Sequence, residues 1–222
     1  MCGITAILLN NKVIYYKNDI SKYRDLLLKS SRLIRHRGPD WSGNYTSAGN
    51  DSTIIMGHER LSIVDPYGGS QPIIHKYKLR DWFNTTSTTD HISKELDTEY
   101  ELVLAVNGEI YNHLELRKEY SNFPFKSNSD CEVILALYVN SIKSLNNRNP
   151  SNESYIVDML NKLDGQFSFV LYDNRLNRML VVRDPIGITS LYYGTDNNNY
   201  IWVSSEMKSL KECKEVHPFP AG

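Results

Sequence analysis

The sequence predicts an α+β fold built from layered antiparallel sheets and helices. The last third of the chain carries four strand-like apolar runs, at 167–172, 179–182, 191–193 and 200–203, joined by turn-rich links such as Asp173-Asn174-Arg175-Leu176-Asn177 and Thr195-Asp196-Asn197-Asn198-Asn199. Links that short force antiparallel hairpins, because a parallel pair needs a crossover of about a dozen residues or more. The helical patterns, by contrast, group in the middle of the chain, and such segregation makes a layered α+β fold rather than an alternating one.

In chain order, residues 4–9 (Ile-Thr-Ala-Ile-Leu-Leu) read as a strand followed by the polar turn Asn10-Asn11-Lys12. Residues 21–34 read as a helix with Tyr23, Leu26, Leu27, Leu33 and Ile34 on one face. Arg35-His36-Arg37-Gly38-Pro39-Asp40 ends it, since Gly and Pro both break a helix. Residues 53–57 and 61–64 are apolar runs of strand length, and 102–106 is another, with Asn107-Gly108-Glu109 at its end. Three helices are expected next, at 113–120, 130–142 and 155–163; Ser129 or Asp130 caps the second. The polar stretches 76–100 and 144–153 have no period and read as inserted, mobile surface loops.

Composition narrows the class. A chain of 222 residues suits one substantial domain or two small ones. At 41% hydrophobic and 11% aromatic residues it can fill a core. Charge is balanced, 25 basic against 26 acidic residues, which argues against a nucleic-acid binder. No apolar run approaches the ~20 residues that cross a bilayer, and no signal peptide opens the chain, so no membrane partner is expected. Three cysteines at irregular spacing form neither a disulfide framework nor a metal knuckle, which fits a reducing, cytoplasmic setting. The histidines, at 36, 58, 75, 91, 113 and 217, show no metal spacing, and there is no GxGxxG or P-loop, so no metal and no cofactor is expected for this domain.

The chemistry begins at Met1-Cys2-Gly3-Ile4. Removal of Met1 would put a thiol and a free α-amine on one residue. An α-amine titrates near ~7.7–8.0, so at neutral pH part of it can accept a proton, and an N-terminal amine is an established base for its own nucleophile. Asn107 and Gly108 could aim an amide and a backbone N–H at an oxyanion; alone they read equally as an ordinary Asn-Gly turn. Arg60 could grip a carboxylate in a two-pronged way, or pair structurally with Glu59 or Asp65. Asp130 could bind an ammonium group or cap a helix. Cys131 and Cys213 have no evident base and read as inert, Cys213 in a charged tail.

Taken together the segments resemble the N-terminal glutaminase domain of glutamine-hydrolysing asparagine synthetase, a class II glutamine amidotransferase. The resemblance is carried by Met1-Cys2-Gly3-Ile4, Arg35-His36-Arg37-Gly38-Pro39-Asp40-Trp41-Ser42-Gly43, His58-Glu59-Arg60-Leu61-Ser62-Ile63-Val64-Asp65 and Gln71-Pro72-Ile73. It continues through Val106-Asn107-Gly108-Glu109-Ile110-Tyr111-Asn112-His113, Ser129-Asp130-Cys131-Glu132-Val133-Ile134, Leu163-Asp164-Gly165-Gln166-Phe167, Arg183-Asp184-Pro185-Ile186-Gly187 and Ser205-Glu206-Met207-Lys208.

The resemblance implies an N-terminal nucleophile hydrolase fold, a four-layer αββα sandwich of two antiparallel sheets, with one domain over residues 1–222. It implies Cys2 as nucleophile with its own amine as base, and Asn107 and Gly108 as the oxyanion hole. It implies Arg60 on the glutamine α-carboxylate, Leu61, Ser62, Ile63 and Val64 lining the pocket, and Glu109 and Asp130 on the α-ammonium. The family continues into an ATP- and Mg-dependent synthetase domain with a Ser-Gly-Gly-x-Asp-Ser loop that these residues lack. The expectation is therefore a piece of a longer enzyme that makes ammonia rather than asparagine, and the resemblance leaves a homodimer of the full-length enzyme open. A glutaminase domain feeding a sugar phosphate or a purine precursor is the close alternative, and a non-catalytic relative of the same fold the distant one.

Overall fold

The computed structural model describes residues 1–10, 17–48, 52–65, 68–82, 96–143 and 154–222. Among them are ten strands: β1 Gly3–Asn10, β2 Trp41–Ala48, β3 Ser52–Arg60, β4 Ile73–Lys78, β5 Glu99–Ile110, β6 Gly165–Asp173, β7 Arg178–Arg183, β8 Tyr192–Asp196, β9 Ile201–Ser204 and β10 Cys213–Pro218. Five α-helices accompany them: α1 Lys17–Arg32, α2 Leu79–Trp82, α3 His113–Glu119, α4 Val133–Lys143 and α5 Ser154–Leu160.

The strands form two sheets, six-stranded in the order β10-β8-β9-β1-β3-β2 and four-stranded in the order β4-β5-β6-β7. Every pairing is antiparallel. Three apolar layers separate the elements. Tyr23 and Leu27 of α1 pack on Ile7, Leu9, Ile55 and Trp202 of the six-stranded sheet. Ile4, Ala6, Ile54 and Met56 meet Val103, Ala105, Val170 and Tyr172 between the sheets. Leu102, Leu104, Phe169 and Leu171 meet Ile134, Leu135, Tyr138 and Ile156 on the far side. The order is helix, sheet, sheet, helix, as the resemblance implies. It also explains why the run Leu102–Val106 is apolar at every position. Side chains alternate across a strand, and both faces of β5 are covered.

Several expectations need correction. Leu61–Val64 is not a strand: β3 ends at Arg60, and the next four residues form a loop in which Ile63 and Val64 are exposed. Asn107-Gly108-Glu109 does not follow β5 but lies within it, paired with Ser168, Phe167 and Gln166 of β6. Neither Ser129 nor Asp130 makes a side-chain cap at the 3-10 turn Asp130–Glu132 that leads into α4. The expected loop 76–100 is in part regular: residues 76–78 belong to β4, 79–82 form α2 and β5 begins at Glu99, while 83–95 lie outside the described residues. The loop 144–153 lies outside them entirely. Cys213 is not in a tail but opens β10.

Candidate active site

Alternation along β1 sends Ile4 and Ala6 into the layer between the sheets. Cys2, two residues ahead of Ile4, reaches the mouth of that layer and lines a cavity that opens to solvent. Its sulfur accepts a hydrogen bond from the Leu61 N–H at 3.3 Å, and the thiol lies 3.6 Å from the Leu61 carbonyl. Burial pushes the Cys2 thiol up from its ordinary value, opposed by the Leu61 N–H, the charged chain terminus and the Arg60 and Arg37 guanidiniums. Met1 lines the same mouth and is 54% exposed.

Arg60, the last residue of β3, faces the cavity. It is buried, and its Nη2 donates to the backbone carbonyl of Asp65 at 2.7 Å. Neither expected ionic partner pairs with it. Glu59 points to the opposite face of the strand, where it takes hydrogen bonds from Ser31, Arg35 and Ser42. The Asp65 carboxylate takes the N–H groups of Gly68 and Asn128 instead. Among the described residues Arg60 therefore has no carboxylate within ion-pair distance, and a buried guanidinium without a counter-ion is a site for an anion.

The same cavity also carries acid. Asp130 is buried and accepts the Ile110 N–H at 2.8 Å through Oδ2. Glu109 lines the cavity beside it. One cation and two carboxylates across a single cavity complement a zwitterion.

The end of β5 completes the lining. Gly108 lines the cavity; its φ is 150°, and a Cβ there would stand 2.1 Å from the Gln166 carbonyl oxygen, so only glycine lets β5 pass β6 at this point. Asn107 is wholly buried behind the cavity wall, on the face shared with Val103 and Ala105, and both its amide nitrogen and its amide oxygen are without a hydrogen-bond partner. Buried amides are nearly always satisfied, so this one calls for a specific explanation, of which a catalytic role is one.

Of the residues expected from the sequence, Cys2, Arg60, Leu61, Ile63, Val64, Gly108, Glu109 and Asp130 line this cavity. Ser62 and Asn107 do not: the Ser62 N–H is tied outward to Asp40 at 2.8 Å, and the Asn107 side chain lies wholly buried behind the wall. The sequence reading missed Gln71, Ser129 and Gln166, which also line it, and His58 behind it. All four stand in motifs that carry the resemblance, but that position alone assigned them no role. Cys131, expected to be inert, lines the cavity too, but burial pushes its thiol well up and it faces the Gly108 carbonyl at 3.8 Å. Burial likewise pushes the Cys213 thiol up to about 11. No group of three His, Cys, Asp or Glu residues that could hold a metal occurs among the described residues. No described helix is long and apolar enough to cross a membrane.

The family described as "Glutamine amidotransferase domain" matches residues 1–83 in one form and 86–212 in another. Asparagine synthetase [glutamine-hydrolyzing] 1 of Arabidopsis thaliana is 41% identical over 223 residues, covering 100% of this chain and 30% of that protein. Asparagine synthetase B [glutamine-hydrolyzing] of Escherichia coli K12 is 41% identical over 224 residues, covering 100% and 32%. The chain thus spans about a third of the length of these relatives. A solved structure of the allosteric regulatory enzyme of purine biosynthesis superposes with a TM-score of 0.66 at 18% identity, covering all of this chain and 46% of that one. Glutamine phosphoribosylpyrophosphate amidotransferase from B. subtilis gives 0.63 at 18% identity, covering 95% of this chain and 43% of its own. At that identity the likeness carries the fold alone, the one these two enzymes share with this chain.

Proposed function

The chain belongs to the glutamine amidotransferase family, and from that premise we propose that it hydrolyses glutamine to glutamate and ammonia through a thioester on Cys2. The observation that carries this reading is the single cavity that holds the Cys2 thiol, the unpaired Arg60 guanidinium and the Glu109 and Asp130 carboxylates. Glutamine presents a carboxylate, an ammonium and an amide at fixed separations. Arg60 takes the first, Glu109 and Asp130 the second, and the amide then lies toward Cys2.

Loss of Met1 frees the Cys2 α-amine. The amine takes the thiol proton, and the sulfur attacks the side-chain carbonyl carbon of glutamine. The oxyanion is held by the Gly108 N–H and the Asn107 amide. The tetrahedral adduct collapses as the amine returns its proton to the leaving nitrogen, and ammonia departs. Water then attacks the thioester, glutamate leaves and the thiol is restored. No metal or cofactor enters these steps.

The relatives' names and greater length support a wider reading. The ammonia passes to a fused ATP- and Mg-dependent part that converts aspartate to asparagine, in the cytoplasm, with dimerisation belonging to that larger enzyme. The test is ammonia release from glutamine, paired with intact mass to establish whether Met1 is gone. Cys2→Ala should bind glutamine and release no ammonia; undiminished release from that variant would remove the mechanism.

A further inference from the structure

β4 accompanies β5 only as far as the pair Ile73 and Leu104. Beyond it β5 keeps β6 on one side, pairing Val106 with Phe169 and Gly108 with Phe167, and has an open edge on the other. In an antiparallel strand each residue sends its N–H and its C=O to the same side, and residues two apart share that side. Val106, Gly108 and Ile110 therefore all face the open edge. Two side chains stand where β4 would have continued. The Val106 N–H donates to Gln71 Oε1 at 2.7 Å. The Val106 carbonyl accepts from His58 Nε2 at 2.8 Å. His58 comes from β3, so it reaches across the inter-sheet layer to hold the other sheet's edge.

We propose that His58 and Gln71 are positioning residues for the oxyanion site, gripping both polar atoms of Val106 so that the next two residues, Asn107 and Gly108, keep their aim. This rests on the glutaminase reading above.

A longer β4 would satisfy Val106 equally well, but it would go on to occupy the Gly108 N–H. Stopping the strand and replacing it by two side chains leaves that donor facing the cavity. The replacement is needed because Gly108, in a conformation open only to glycine, does nothing to stiffen its own peptide. Both grips are deep, with His58 fully buried and Gln71 6% exposed. A carbonyl can only accept, so Nε2 carries the proton, and Nδ1 is left buried with no partner. A core selected for stability alone would place an apolar residue there.

On the mature chain, His58→Met and Gln71→Met should each lower kcat for ammonia release by roughly 10- to 100-fold, the scale of a small misplacement of catalytic groups. KM for glutamine and the affinity for L-glutamate should hold, because Arg60 and Asp130 are untouched. His58→Gln, whose amide nitrogen stands where Nε2 stood, should recover most of the turnover that His58→Met loses. Thermal melts accompany each assay, and the two methionine variants are independent should one fail to fold. Wild-type kcat in either folded methionine variant, equal losses in the Met and Gln variants of His58, or a rise in KM at constant kcat each overturns the proposal. Absence of ammonia from the wild-type protein is a different result: it overturns the glutaminase reading itself.

Discussion

Arg37 holds Cys2 by its backbone: the guanidinium Nε donates to the Cys2 carbonyl at 2.8 Å. Its Nη1 lies 3.2 Å from the Glu206 carboxylate, which His36 and Lys208 also contact, and these partners together hold Glu206 below the usual range despite the opposing effect of burial. The nucleophile's main chain is thereby anchored to the far end of the sequence. Arg37→Met should leave glutamine affinity nearly unchanged and reduce kcat about 10-fold or more, because a displaced attacking atom loses alignment before it loses substrate. Steady-state ammonia assays separate the two constants, and an unaltered kcat would show that the tether has no part in alignment.

Arg60 calls for the opposite pattern. Removing one partner of a buried, hydrogen-bonded charge pair costs about 2–5 kcal/mol, or roughly 30- to several-thousand-fold in affinity. Arg60→Met should raise KM for glutamine by that order. Arg60→Lys should sit between, since it keeps the charge and loses the fork. A methionine variant with normal KM would move the α-carboxylate to another part of the cavity.

Two histidines contribute to the acid limb of stability. Burial pushes His58 down to about 4, and burial with the Lys126 and Lys143 charges does the same to His75. An unfolded imidazole binds its proton near ~6.5, so below that pH the unfolded chain takes up protons that the folded one refuses. Stability is full above ~6.5 and declines toward 4, by up to about 1.4 kcal/mol per pH unit for each histidine, then levels off for these groups. Urea midpoints measured across that range should fall with pH, and less steeply in His58→Gln. A flat profile from pH ~7 to ~5 would contradict the burial of both rings.

Gly108→Ala tests the passage between β5 and β6. The added carbon would meet the Gln166 carbonyl oxygen at 2.1 Å on a backbone that alanine resists. Overpacking of this kind costs about 1–3 kcal/mol. The expected result is a lowered melting temperature together with loss of ammonia release. A variant that melts normally and still turns over would mean that the strand gives way at no cost.

The interior of the fold was legible because β1, β3, β5 and β6 are covered on both faces and so read as apolar runs. The three strands missed, β2, β4 and β10, all lie at sheet edges, where polar residues such as Ser42, Asn44, Lys76 and Glu215 are allowed. Leu61–Val64 misled in the other direction: its apolar side chains line a cavity mouth rather than a sheet. Within the site, Cys2, Arg60, Gly108 and Asp130 were found by motif, since no periodicity links residues so far apart. His58 and Gln71 stood in motifs without a legible role, because what they hold is a backbone edge, exposed only by the point at which a neighbouring strand stops.

β1 lies inside its sheet, and its two flanks are made at very different times. β3 follows within about fifty residues, but the β9 side, with Ser205 accepting the Ile4 N–H across 201 positions, is made about two hundred residues after β1. At ribosomal speeds of ~5–20 residues per second that delay is on the order of ten to forty seconds. For all of it one edge of the nucleophile's strand stays without its partner.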